Sequence, residues 1–263
     1  KNLSSIGEIY INDAFSCSHR KQTSIHKITK YIKYSYAGPL FMKEIFSINM
    51  VLDGQQSPTT CIIGGSKIST KLGVITSLIE KIDNLIIVGA MANNFIKFKG
   101  NKVGKSLVEP HSEKTVEEII NKAENNNCKI IIPSDFAVSD STKGVAKLKN
   151  LQNVEDNEMI LDIGPKTINE IYKIIDASKT VLWNGPAGYF ENQNFLKGTT
   201  SIAKKISNNT NSNSLISIVG GGDTISAVKN NDFDLNFTHL STAGGAFLEY
   251  IEGKNLPGIE VLK

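Results

Sequence analysis

Lys67 and Lys71 stand four residues apart in the stretch "CIIGGSKISTKLG" (Cys61 to Gly73), directly behind a pair of glycines. That combination points to phosphate chemistry, because glycines let backbone approach an anion and ammonium groups neutralise it. The stretch departs from the common phosphate-loop pattern, G-x-x-x-x-G-K-[ST], since Lys67 follows Ser66 rather than a glycine. Read as a helix, "SKISTKLGVITSLIEKI" puts both lysines on one face near its start, where unpaired N–H groups already favour an anion. Two solvated surface lysines are the other reading of the same spacing.

Two further stretches suit a phosphate or nucleotide ligand. In "SIVGGGDTISAVKN", Gly220, Gly221 and Gly222 precede Asp223 and Thr224, which open a helical pattern. Three successive glycines exceed the need of a turn, and an acid beside a phosphate cradle can hold Mg²⁺; Asp223 also fits an ordinary N-cap. In "VLWNGPAGYFENQNF", the turn Asn184-Gly185-Pro186 leads to Glu191, whose carboxylate is able to accept both hydroxyls of a ribose. The single tryptophan, Trp183, reads as core. His19 stands beside Arg20, the one arginine of a lysine-rich chain, and a guanidinium offers a planar fork to phosphate that lysine does not. His26, His111 and His239 carry no partner pattern. "GNKVGKS" (Gly100 to Ser106) contains G-K-S, but its spacing and its helical lead-in exclude a phosphate loop, so it reads as a loop.

These residues need a scaffold that brings strand ends together. From about Thr59 onward, the apolar runs "TTCIIGG", "NLIIVGA", "CKIIIPS", "MILDIGP", "TVLWNGP", "LISIVGG" and "FTHLSTAGG" alternate with helix-like periods. Continuous apolar strands between amphipathic helices indicate an α/β fold, a parallel β-sheet with helices on both faces. Such sheets bind ligands at the carboxyl ends of their strands, where the glycines cluster. Residues 1–38 hold one apolar segment, "IGEIYINDAF", too little for a core of their own. "GPLFMKEIFSINMVLDG" (Gly38 to Gly54) reads as a helix leading into the block, and "SNNTNSNS" (Ser207 to Ser214) as a polar surface loop.

Composition narrows the function. The 263 residues and 40% apolar content fit one or two globular domains, and no apolar run reaches the ~20 residues a membrane helix needs. A formal charge of +3 gives no case for nucleic acid, and three scattered cysteines suit reduced thiols in the cytosol. No G-x-G-x-x-G follows the first strand, which disfavours a dinucleotide-dependent dehydrogenase. The chain opens at Lys1 in mid-pattern, so sequence upstream of it is expected.

"YINDAFSCSHR", "AGPLFMKEI", "GGSKISTK", "MANNFIKFKG", "WNGPAGYFE", "GGGDT" and "STAGGAFLEYIEGKNLPG" occur in an order that resembles the phosphoglycerate kinases along the whole chain. The resemblance implies a two-domain hinge kinase: 1–38 would be a remnant of the N-terminal phosphoglycerate-binding domain, 39–54 the interdomain helix and 55–263 a Rossmann-like nucleotide-binding domain. It implies a cytoplasmic monomer acting on ADP/ATP and phosphoglycerate with Mg²⁺, and needing no nucleic acid or membrane. Lys67 resembles the lysine that stabilises the transferring phosphoryl group, and Lys71 the one that holds nucleotide phosphate. Gly220, Gly221, Gly222, Asp223 and Thr224 resemble the turn that contacts phosphate and metal, Asn184, Gly185 and Pro186 the turn beside the nucleotide, and Glu191 the ribose acceptor. Arg20, after His19, resembles one arginine of the basic patch for the acid substrate. Most of the N-terminal pattern, with its other arginines, is absent from this sequence. Val88-Gly89-Ala90-Met91 replaces a Gly-Gly-Gly-Met pattern, Ala243 and Phe247 stand where Gly and Ser are usual, and Ile160 replaces a glycine. A non-catalytic nucleotide-binding module that kept only the α/β block is the competing reading.

Overall fold

The computed structural model describes residues 1–53, 56–229 and 234–262. Gly54 and Gln55, where the expected boundary between helix and α/β block falls, lie outside the described residues.

The chain opens with β1 (Ile9–Asn12) and β2 (Tyr34–Ala37), paired in parallel with Ile9 opposite Tyr34. α1 (Pro39–Leu52) follows, close to the helix expected from Gly38. Its N-cap, Gly38, has no side chain to offer, and Pro39 at the first helical position needs no N–H partner. Asp13 caps the helix instead, its Oδ1 accepting the Phe41 N–H at 2.8 Å. A Cβ on residue 38 would fall 2.4 Å from that oxygen, so the glycine is what admits the carboxylate. The N-terminal segment is thereby tied to α1. At its far side α1 is fixed by Glu44 to His239 (2.9 Å) and by Asn49 to Tyr250 (3.1 Å).

The α/β block runs through β3 (Thr59–Ile63), α2 (Leu72–Ile79), β4 (Asn84–Ile87), α3 (Gly89–Phe98), α4 (Glu113–Asn125) and β5 (Lys129–Ile131). Next come β6 (Asp135–Ser139), β7 (Lys147–Asn150) and β8 (Met159–Ile163), then α5 (Pro165–Ala177), β9 (Thr180–Asn184) and α6 (Lys197–Asn211). β10 (Ile216–Gly220), α7 (Gly222–Lys229), β11 (His239–Ser241), α8 (Gly245–Ile251) and α9 (Pro257–Glu260) complete it. Among the described residues the main sheet has six strands, all parallel, in the order β11-β10-β9-β3-β4-β5. Chain order runs outward from β3 to β5, then returns to the other side of β3 and runs outward from β9 to β11. The switch point therefore lies between β3 and β9, the place where such sheets bind ligands.

Side chains on these strands alternate between two cores, as a pleated strand requires. Cys61, Ile63 and Leu182 face Ile48, Leu78, Phe95 and Phe247 of the helices on one side. Ile62, Trp183 and Val219 face Ile171 and Ile202 on the other. Trp183 is fully buried, in agreement with its reading as core. No helix among the described residues is long and apolar enough to cross a membrane.

Two local expectations differ from the structure. "MILDIGP" supplies β8, but that strand lies outside the main sheet, in a small antiparallel one of order β7-β6-β8. The chain reverses after Ser139, and β8 pairs back onto β6 rather than crossing over through a helix. The polar stretch Ser207 to Ser214 is a loop only at its end. α6 continues to Asn211 because Ile202, Ala203 and Ile206 anchor its inner face, and Ser207 is buried with its Oγ accepting the Asn236 N–H at 2.9 Å. Gly100 to Ser106 follows α3 as an irregular segment, as expected.

Candidate active site

The turns after β3 and β9 meet backbone to backbone at the switch point. Gly64 N–H donates to Asn184 O at 2.9 Å. A Cβ on residue 64 would lie 2.2 Å from Pro186 O, and one on residue 185 would lie 2.3 Å from Gly64 O. No side chain fits between these strands, which explains a glycine in each turn.

Lys71 reinforces this meeting point. Its Nζ donates to Gly64 O at 2.7 Å and to Asn184 Oδ1 at 2.6 Å, with Asn184 O at 3.4 Å. The long regular helix expected from Ser66 is not formed. A 3₁₀ turn spans Ser69–Lys71 and α2 begins only at Leu72, so the two lysines do not share a helical face. Lys67 is exposed in the preceding turn, whereas Lys71 folds inward. The difference follows from Ile68, which is fully buried and pulls the backbone down between them. Burial lowers the Lys71 pKa to about 8, against the pull of Cys61 and Asp223.

β10 delivers the third turn to the same junction. Gly221 adopts φ +97°, and a Cβ there would come within 2.9 Å of the Asn184 amide nitrogen. Thr224 Oγ1 accepts the Gly185 N–H at 2.7 Å, with both groups buried. Gly220 has a packing reason, since a Cβ would press on the Phe247 ring at 2.9 Å. Gly222 has none: a Cβ there meets nothing within 4 Å. Asp223 sits in the first turn of α7 rather than at its cap, exposed and near enough to Lys71 to act on its charge.

A cleft of about 390 Å³ opens beside this junction, reached from Gly65, Ala90, Pro186 and Asp223 and lined farther along by Leu161 and Glu191. The structure thus joins Lys71, Asn184, Gly185 and Thr224 by hydrogen bonds, packs Gly221 against Asn184, and sets Pro186, Glu191 and Asp223 on the cleft. His19 and Arg20 do not line it. Arg20 Nε donates to His19 Nε2 at 3.2 Å, and that ring faces Gly245 at the start of α8.

A family-wide sequence model described as phosphoglycerate kinase matches residues 1–254.

The chain belongs to the phosphoglycerate kinase family.

It is 45% identical over 263 residues to the phosphoglycerate kinase of Orientia tsutsugamushi (strain Ikeda), covering 99% of this chain and 64% of that protein. It is 41% identical to the phosphoglycerate kinase of Wolbachia sp. subsp. Brugia malayi (strain TRS), covering 100% of this chain and 66% of that protein. The chain therefore spans somewhat less than two thirds of the length of these relatives. Among solved structures, the phosphoglycerate kinase of Coxiella burnetii matches with a TM-score of 0.90 at 36% identity, over 98% of this chain and 66% of that one. That of Pyrococcus horikoshii OT3 matches with a TM-score of 0.83 at 28% identity, over 99% and 65%.

The departures from the phosphoglycerate kinase pattern fall at defined places. Ala90 and Ile160 line the cleft, and Phe247 fills the space beneath Gly220. Sequence reading passed over Asp162, an acid inside an apolar strand, which was the available signal. Asp162 is buried on the cleft wall, where its carboxylate accepts Ile163 N–H at 2.8 Å and Gly198 N–H at 2.7 Å and so anchors the start of α6. Burial pushes its carboxyl up to about 7, against those amides and the Lys197 charge. No three His, Cys, Asp or Glu side chains converge on a metal position among the described residues. Asp223 is an exposed carboxylate on the cleft, in the first turn of α7.

Proposed function

We propose that this chain is the larger part of an enzyme that transfers a phosphoryl group reversibly between 1,3-bisphosphoglycerate and MgADP, giving 3-phosphoglycerate and MgATP. It would act in glycolysis, as a cytoplasmic monomer, with residues 55–263 as the nucleotide domain, 39–54 as the interdomain helix and 1–38 as part of the phosphoglycerate domain. The reading is carried by one observation: Lys71, Asn184, Gly185 and Thr224 lock three strand-end turns together at the switch point, with the open space over Gly222 beside a cleft that reaches Glu191.

In this reading the nucleotide phosphates lie over Gly220–Gly222, whose backbone N–H groups and the start of α7 favour anions. Lys71 supplies charge beneath them, Asn184, Gly185 and Pro186 form the adjoining wall, and Glu191 accepts the ribose hydroxyls. Asp223 would hold Mg²⁺, which would supply neutralisation of phosphate charge. Lys67, exposed in its turn, meets the transferring phosphoryl group. Arg20 and His19 belong to the acid-substrate side. Phosphoryl transfer needs positioning and charge neutralisation rather than a covalent intermediate, and these groups supply both.

Calorimetry with MgADP and a coupled kinase assay on this chain test the proposal. MgADP binding with very slow turnover is expected, because most of the acid-substrate pattern is absent from the sequence and closure needs that half. No MgADP binding would overturn the nucleotide site, and normal turnover would overturn the division of labour. The competing reading is a nucleotide-binding module without catalysis. Binding without any turnover when the remaining third of a relative is supplied in trans would select it.

A further inference from the structure

Lys67 lies in a segment tied to α3 at both ends, directly at one and through Glu109 at the other. At one end, Gly65 O accepts the Met91 N–H at 2.8 Å. At the other, the Glu109 carboxylate accepts the Ser69 N–H at 3.1 Å and also the Ser69 hydroxyl. Glu109 is itself held by α3, its N–H donating to Asn94 Oδ1 at 2.9 Å. Ser112 Oγ donates to that same oxygen at 3.0 Å, and Asn94 Nδ2 donates to Met91 O at 3.0 Å. Asn94 is buried in α3. The bonds close a ring through Gly65, Met91, Asn94, Glu109 and Ser69, with Lys67 at the middle of its open side. Thr70 Oγ1 donates to Lys67 O at 2.9 Å, and the buried Ile68 pins the segment from beneath.

Resting on the phosphoryl-transfer reading above, we propose that Glu109 is the positioning residue for Lys67: its bonds to Ser69 close this ring and fix where the ammonium stands over the transferring phosphoryl group. A lysine on a flexible four-carbon stem is a useful point charge only if its backbone is fixed. The Ser69 hydroxyl, the Ser69 and Ile68 amides and the Lys67 charge hold the Glu109 carboxyl below its ordinary range despite partial desolvation, so it accepts as a carboxylate at neutral pH. The remaining members of the ring are backbone groups and an amide, which do not titrate.

The test compares MgATP, which carries the transferable phosphoryl group, with MgADP, which lacks it. Glu109→Ala is expected to weaken MgATP by about tenfold, the scale of one charged hydrogen bond, with MgADP affected less than about twofold. Glu109→Gln, which keeps an acceptor for Ser69, restores most of the difference. In a Lys67→Ala background, Glu109→Ala should have no further effect on the ratio. Equal losses for both nucleotides, or a penalty that persists without Lys67, would overturn the proposal. Hydrogen exchange of the ligand-free chain separates this from the functional reading. The Ser69 amide should exchange about tenfold faster in Glu109→Ala and not in Glu109→Gln, and unchanged exchange removes the ring whatever nucleotide does. If the unmodified chain binds no MgADP, the site reading fails while the exchange result still decides the ring.

Discussion

Thr224 Oγ1 and the Gly185 N–H form a 2.7 Å bond between the turn after β9 and the first turn of α7, inside a region closed to water. Two turns that both face the cleft therefore move as one. Replacing Thr224 by Val keeps the shape and orphans a buried N–H. Such a loss costs about 1–3 kcal/mol, so the urea midpoint should fall, and MgADP affinity with it. Thr224→Ser should restore both. A stable variant with unchanged midpoint would show that the bond does not hold the turns together.

Gly222 separates folding from binding. Because a Cβ there touches nothing within 4 Å, Gly222→Ala should leave stability unchanged or raise it by about 0.4–1 kcal/mol. In the proposed function the same methyl group would stand where phosphate approaches the backbone, and MgADP affinity should drop by about tenfold. Gly64→Ala serves as the contrast, since its Cβ would fall 2.2 Å from Pro186 O and the fold itself should suffer. Calorimetry and thermal unfolding on the same samples read both effects; unaltered MgADP affinity in Gly222→Ala would place the phosphates elsewhere.

In the proposed site, Lys71 would link proton uptake to nucleotide binding. Its pKa is lowered from 10.5 to about 8 by burial, so between these values the unfolded chain binds more protons and this group makes stability rise with pH. The penalty for holding it charged is fully present below about 8 and is gone above 10.5. A bound phosphate stabilises the ammonium, and MgADP binding at pH 8 should take up about half a proton. Titrations in buffers of different ionisation enthalpy measure that number. Lys71→Met should bind MgADP more weakly and without the proton.

Asp162 gives the opposite slope. With its carboxyl raised from 3.8 to about 7, the folded chain binds the extra proton between those values. Its contribution to stability therefore declines as pH rises through the window, and the burial penalty is complete above about 7. In Asp162→Asn that contribution disappears, so the difference in urea midpoint between variant and parent should change between pH 5 and pH 8. A constant difference across that range would mean Asp162 does not titrate there.

Much of the architecture was legible because strand and helix periods are local. The glycine-terminated apolar runs mark where β3, β9 and β10 end, and Pro39 and Pro165 mark helix starts. What local pattern could not give was partnership across the chain. Nothing near Gly38 or Gly164 announces that Asp13 and Asp135 cap those helices from other elements. Lys67 and Lys71 stood out by type and spacing, but their separate orientations come from Ile68 seeking the core. The partners of Glu109 and Asp162 were hidden for the same reason, since Ser69 and Gly198 lie far from them along the chain. The polar run after Ile206 misled because composition speaks to solvent exposure, whereas α6 is held by the apolar face that precedes it.

The placement of β9 has a consequence for how the chain is made. β3 and β9 are adjacent in space, yet Thr59 pairs with Thr180, far along the sequence. During synthesis, β3 and its neighbours emerge long before their central partner, and one side of β3 remains an open edge until β9 arrives. Such distant pairings form late, and an unpaired edge invites the wrong partner. The junction of Gly64 with Asn184 cannot form before β9 has emerged, so a nucleotide bound there, in the proposed function, would report that the two halves of the sheet have joined.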